Sequence, residues 1–227
     1  MGRRELQKQA RRATLLQAAR AALERGDFSM RRLAEDAGMS EVTPYNLFGS
    51  KRGVLEALYV TLRREAEEQL ARLGPRAPLE RVFDAIDLLA AGLASAPDFY
   101  RGFFGALVER PVSDRPPTGD DPGRAYWRHI IAQAAADGGL RPGARQDLLA
   151  RSFICLIGGA MQDWLDERIT AEEWGLITAH GFALMALPLA SKDAAPTLRE
   201  RLAAAEVRLK PAEPRGADLE GPGGPAA

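Results

Sequence analysis

The chain of 227 residues is short of several things that would have marked particular chemistries. One cysteine, Cys155, cannot form an internal disulfide, and with only two histidines there is no spaced Cys/His set to hold a structural zinc. A reducing cytoplasm is the setting this suits. Long hydrophobic runs are missing as well. The longest nearly uninterrupted ones, 153–161 and 181–190, reach about half of the ~20 residues that span a bilayer. The N-terminus, MGRRELQKQARR, is basic and polar with no apolar stretch behind it, so neither export nor membrane insertion is expected. Aromatics are scarce at 7%, and stretches that alternate apolar with polar residues are nearly absent, which argues against a sheet. Net charge is lacking too: 31 Lys plus Arg offset 31 Asp plus Glu. Taken alone, that zero would argue against a nucleic-acid partner.

The zero conceals two opposite halves. Residues 1–64 hold 13 basic against seven acidic side chains, a net of +6, and residues 65–227 hold 18 against 24, a net of −6. Such asymmetry is a sequence sign of a nucleic-acid-binding module joined to something else.

Ala, Leu, Arg and Glu dominate at helical spacing, which makes the expected class all-α. The periodicity predicts a first helix over about 6–24 ended by Gly26, then Phe28 as an apolar anchor. Ser29 caps a short helix to about Ala37, and Ser40 opens another to about Leu47. Ser50 opens a long helix toward Leu73, with Leu55, Leu58, Tyr59, Leu62, Ala66 and Leu70 as its stripe. A Gly74-Pro75 break follows, then helices over about 79–95, 98–109, 123–136, 143–168, 171–190 and 196–208. Residues 111–123, PVSDRPPTGDDPG, read as a mobile loop. The tail over 211–227 has too little apolar content to pack and reads as disordered.

Residues 29–48, SMRRLAEDAGMSEVTPYNLF, have the layout of a helix-turn-helix. Two short amphipathic segments meet through Ala37-Gly38-Met39-Ser40, and Ala34 is small enough for close packing. In such a unit the second helix enters the major groove of DNA. Its first two turns would present Glu41, Val42, Thr43 and Asn46 to base edges; Asn pairs with adenine, and Val or Thr methyls meet the thymine methyl. Ser29, Arg31, Ser40, Tyr45 and Lys51 stand at helix starts or edges suited to phosphate oxygens. Arg11, Arg12 and the other N-terminal basic groups would add salt-sensitive attraction.

The segment FSMRRLAEDAGMSEVTPYNLFGSKRGVLEALY resembles the DNA-binding signature of the TetR family of bacterial transcriptional regulators. The likeness is specific over about 10–65 and rests beyond that on length and helical pattern. It is carried by Leu33-Ala34, Gly38, Ser40, Thr43, Tyr45, Phe48, Ser50-Lys51 and Leu55/Leu58. It implies that Tyr45 and Lys51 contact phosphates, that Thr43 approaches the DNA and that Phe48 packs in the small core. Pro44 departs from the pattern, standing where the family carries an apolar residue compatible with a full helix. With Ser40 as cap, its ring would press on the Ser40 carbonyl and forfeit the first backbone bond, so a displaced or tightened first turn is expected.

The resemblance implies an N-terminal three-helix DNA-binding domain with a helix-turn-helix over 1–50, a connecting helix over 51–73, and a larger helical ligand-binding and dimerisation domain over 74–210. By that likeness the last two long helices form a four-helix dimer interface, with Phe153, Ile157, Gly158, Trp164, Ile177 and Leu184 as its candidates. Candidate walls of an effector cavity are Phe83, Phe99, Tyr100, Phe103, Phe104, Leu107, Trp127 and Cys155, an apolar and aromatic set that suggests a hydrophobic or aromatic ligand. The partners expected are a palindromic double-stranded DNA operator, a second copy of the chain and a small effector, whose binding releases a repressor; no cofactor and no metal are called for. An enzyme built on Cys155 with His129 or His180 is disfavoured by the apolar helical surroundings of FICLIGG. The remaining alternative is an all-α dimeric carrier of small molecules that does not bind DNA.

Overall fold

The computed structural model describes residues 2–108 and 122–209; most of the loop expected over 111–123 and the tail expected over 211–227 lie outside them. Ten α-helices carry the described chain: α1 (Arg3–Arg25), α2 (Met30–Asp36), α3 (Val42–Phe48), α4 (Lys51–Arg72), α5 (Glu80–Ser95), α6 (Pro97–Val108), α7 (Pro122–Ala136), α8 (Gln146–Leu165), α9 (Ala171–Ala186) and α10 (Ala195–Arg208). A 3-10 turn, Leu187–Leu189, follows α9. The only β pairing among the described residues is an isolated bridge between Leu140 and Ala190. The all-α expectation holds, and the boundaries move by at most three or four residues.

The caps explain where the first helices stop and start. Gly26, left-handed at φ 75°, ends α1, with its own amide and that of Asp27 turned back on the Leu23 and Ala22 carbonyls. Phe28 then drops into the core. The Ser29 hydroxyl accepts from the Arg32 amide at 3.2 Å to open α2, and Ser50 accepts from the Gly53 amide at 3.1 Å to open α4. Between α2 and α3, Gly38 takes φ 63°, which a side chain would disfavour, and the Met39 amide reaches back to the Ala34 carbonyl at 2.8 Å. The helix-turn-helix therefore forms where its turn chemistry predicts it.

Two apolar cores result. The smaller gathers Leu15, Ala19, Leu23, Leu33, Val54, Leu55 and Leu58 from α1, α2 and α4, and it also takes Phe99 and Phe103 from α6. The larger is built around α9, which α5, α8 and α10 surround. Phe83, Phe153 and Phe182 meet ring to ring there, with centroids 4.9 and 5.4 Å apart. A capping box opens α9: the Thr170 hydroxyl accepts from the Glu173 amide, and the Glu173 carboxylate accepts from the Thr170 amide. Arg201 fastens α10 to α5, pairing with Glu80 at 2.6 Å while lying over the Phe83 ring.

Helix α6 joins the cores. It packs against α1 as extensively as neighbouring helices of the body pack on each other. The close approach needs Gly102, where an added Cβ would stand 2.4 Å from the Leu23 carbonyl oxygen. Arg20 of α1 covers the Phe99 ring at 4.6 Å on the same seam.

Candidate nucleic-acid interface and ligand cavity

Helix α3 presents its polar and small apolar side chains outward. Val42 is 61% exposed and Tyr45 53%, Glu41 and Asn46 are exposed, and Thr43 is half-buried. The groove beside this helix is lined by Thr43, Asn46 and Leu47 of α3 and by Arg4, Gln7, Lys8 and Arg11 of α1. Spacings of four and three residues put Arg4, Lys8 and Arg11 on one face of α1, so a row of cations runs along α3.

The start of α3 corrects one expectation. Ser40 does not cap the helix: the N-cap position falls to Glu41, which has helical backbone angles and no capping hydrogen bond, and the Ser40 hydroxyl instead meets the Thr43 hydroxyl at 2.8 Å. Because the helix begins at Val42, Pro44 is its third residue, where an amide has no helical acceptor in any case. Its missing N–H therefore costs nothing, and its ring is buried. The tightened turn is present, closed by the Thr43 amide on the Ser40 carbonyl at 2.9 Å.

Several predicted phosphate contacts have work inside the chain. Arg31 pairs with Glu35 at 3.0 Å and lies 3.6 Å from Glu41. Lys51 lies over the Phe28 ring, 5.0 Å from its centroid. Arg12 is not a free surface cation: its Nη1 donates to the Leu47 carbonyl at the end of α3 and its guanidinium covers the Phe48 ring at 4.4 Å. Ser29 remains exposed, and its cap uses only acceptor capacity, leaving the hydroxyl proton to donate outward. Phe48 is half-buried against the small core, as expected.

A cavity of about 500 Å³ opens between α4, α5, α6, α7 and α8. Of the predicted walls, Tyr100, Phe103, Phe104, Leu107 and Trp127 line it. Phe83 and Phe99 do not: Phe83 is spent in the larger core beneath Arg201, and Phe99 in the seam with α1. Cys155 does not either. It is exposed on the outer side of α8, which also corrects its expected apolar enclosure. Sequence reasoning missed Tyr59, Leu62, Arg63 and Ala66 of α4 and Ile154 and Met161 of α8. A signal for Ala66 was available, because the apolar stripe of α4 continues past Leu62, the last of its residues that packs against the small core. Burial raises the Tyr100 phenol, and it pushes Tyr126 up to about 12, with Glu67 adding and Arg63 and Arg81 opposing. Both phenols therefore stay protonated and able to donate. A second, more polar cleft of about 370 Å³, on the other side of Tyr126, is lined by Arg76, Arg81, His129 and Gln133 among others.

The predicted dimerisation residues divide. Phe153 and Trp164 are fully buried within the chain and Ile157 nearly so, with Ile157 and Gly158 at the cavity; the three large side chains are not surface. Ile177 is half-buried and Leu184 50% exposed. The outward face of α8 and α9 is instead made by Leu148, Cys155, Leu156, Gly159, Ile177 and Leu184. Among the described residues, nothing beyond the helix's own neighbouring residues comes within 4 Å of a Cβ placed at Gly158 or Gly159, so packing among those residues does not use their smallness.

The arrangement defines a class: a small helix-turn-helix domain joined by one long helix and one bridging helix to an all-helical body that encloses a cavity. Solved structures of TetR-type regulators share this fold. A TetR transcriptional regulator from Rhodococcus sp. RHA1 superposes with a TM-score of 0.58 at 19% identity, over 90% of this chain and 100% of that one. TylP, a TetR regulator from Streptomyces fradiae, gives 0.58 at 19% over 92% and 95%. NalD, the secondary repressor of the MexAB-OprM multidrug efflux pump in Pseudomonas aeruginosa, gives 0.55 at 20% over 82% and 99%. No protein-family model and no curated protein matches the chain.

Proposed function

We propose that the protein is a DNA-binding transcriptional regulator, a homodimeric repressor that sits on a palindromic operator and is released by a small hydrophobic or aromatic effector. The observation that carries the reading is the exposed face of α3, with Val42, Tyr45 and Asn46 beside the row Arg4, Lys8 and Arg11. The helix would enter the major groove, Asn46 and the Val42 and Thr43 methyls would meet base edges, and Tyr45, Lys51 and the α1 cations would meet phosphates. The exposed apolar strip on α8 and α9 supports a two-fold partner, and a two-fold protein matches two half-sites about one or more helical turns apart.

Control follows from α6. Tyr100, Phe103, Phe104 and Leu107 line the cavity, while Phe99 and Phe103 belong to the core of the DNA-binding domain. An effector that favours one placement of α6 and α4 over another changes where the two copies of α3 stand, and only such differential affinity can shift the equilibrium. Footprinting on the DNA upstream of the chain's own gene tests the reading. The expected result is a two-fold-symmetric protected site with half-sites spaced by about a helical turn or a multiple of it; uniform weak protection with no symmetric site contradicts it.

A further inference from the structure

The charge lining the larger cavity is one-sided. Among the described residues its ionisable side chains are Arg63 and Arg124 with the phenols of Tyr59, Tyr100 and Tyr126, and no carboxylate lines it. The Arg63 guanidinium makes no hydrogen bond among the described residues; its Nε is buried 3.3 Å from a Glu67 oxygen without hydrogen-bond alignment. Arg124, in the first turn of α7, makes neither ion pair nor hydrogen bond there, and it stands at the positive end of that helix. The Tyr100 and Tyr126 hydroxyls likewise have no hydrogen-bond partner among the described residues, and both remain donors at any physiological pH. Of these donors only the Arg63 Nε is buried away from water; Arg124 is exposed and the two tyrosines are half-buried, and together they give an otherwise apolar hollow a set of donors that an acceptor on a ligand would engage. The rest of the lining includes Leu88, Leu89, Phe103, Phe104, Trp127 and Met161, which match a flat or extended hydrocarbon body.

We infer that the ligand of this cavity is an acidic amphiphile, with an aromatic or acyl body among the α5–α8 side chains and a carboxylate held by Arg63 and Arg124. The inference rests on the cavity being an effector site. A guanidinium offers a planar fork to a carboxylate, and the low polarity of the neighbouring walls strengthens the pair over its value in water. A neutral analogue of the same shape would keep the hydrocarbon contacts and leave the donors unanswered, which is where discrimination arises.

The test is isothermal titration of the full chain with acid and primary-amide pairs of the same skeleton: 1-naphthylacetate, 4-phenylbutyrate and decanoate, each against its amide. At least one acid should bind ten-fold or more tighter than its amide. The ratio should fall toward one in R63Q and R124Q proteins, survive in R63K and R124K, and shrink as salt rises. Exposed Arg124 can change without disturbing the core, so R124Q keeps the test open should R63Q fail to fold. Equal binding of acid and amide, or a preference that both Gln substitutions leave intact, overturns the acidic assignment and leaves an effector cavity standing. If no acid and no amide binds, the cavity reading itself falls and takes this inference with it.

Discussion

Arg12 illustrates how a single charge is read differently by pattern and by packing. Counted among the N-terminal cations it belongs to the phosphate-facing set, yet its guanidinium holds the end of α3, bonded to the Leu47 carbonyl and laid over Phe48. Truncation to Ala removes a charge-assisted hydrogen bond and a ring contact together, so R12A is expected to lose about 1–3 kcal/mol of stability in urea unfolding. An R12A protein as stable as the parent would show that the clamp is idle. The residues facing outward make a different prediction. K51A should weaken binding about equally on all DNA sequences and lower the salt slope by about one, whereas N46A should cost about 1–3 kcal/mol at one base position and relax preference there. Competition titrations with single-base operator variants separate the two. The outward placement of Glu41, Val42, Tyr45 and Asn46 was legible because the helical period leaves them on the face away from Leu47 and Phe48. The inward role of Arg12 was not, since it depends on an acceptor, the Leu47 carbonyl, brought close only by the tertiary fold.

Elements obey local rules until a neighbour overrules them. The periodicity and caps placed α1, α2 and α4 to within a few residues, because Gly26, Ser29 and Ser50 act through bonds no more than a few positions away. For α3 the rule was applied one residue too early: shifting the start from Ser40 to Glu41 turns Pro44 from a defect into a tolerated first-turn residue. The position of α6 was beyond the sequence. Its aromatic run FYRGFF marked something dense, but not that Phe99 and Phe103 would join the small core while Tyr100 and Phe104 pack against both, which requires the α1 contact that Gly102 permits. Filling that contact is a prediction at this scale. G102A should force α6 away from Leu23, cost about 1–3 kcal/mol, and alter DNA affinity although it touches neither DNA nor cavity. Unchanged melting and unchanged affinity in G102A would remove α6 as the link. Another element-level contact is testable on its own. Asp84 is nearly buried on α5 and takes two hydrogen bonds from Arg76, so R76A should destabilise the chain by about 1–3 kcal/mol by leaving that carboxylate unanswered.

Across the whole molecule the zero net charge resolves into geometry. The +6 half carries α1 to α3 and the cationic groove, and the −6 half carries the body, so the face proposed to meet DNA would also be the one that attracts it from a distance. The outward strip of Leu148, Leu156, Ile177 and Leu184 supports a second copy of the chain. L184E is expected to halve the mass seen in light scattering, from two chains to one, and to lower operator affinity through loss of the paired half-site; a dimer that persists would place the interface elsewhere. Which buried aromatic serves the core and which the cavity was not legible, because Phe83 and Phe99 differ from Phe103 and Phe104 only in what packs on them. The central claim, that α3 is a DNA reader, is tested most directly by titrating the chain against its own upstream DNA over a range of salt. The account predicts tight binding with a log-log salt slope of several units, each phosphate contact contributing about 0.9, and a marked loss of affinity in the Y45A/K51A protein. A flat slope, or full affinity in that double variant, would contradict it.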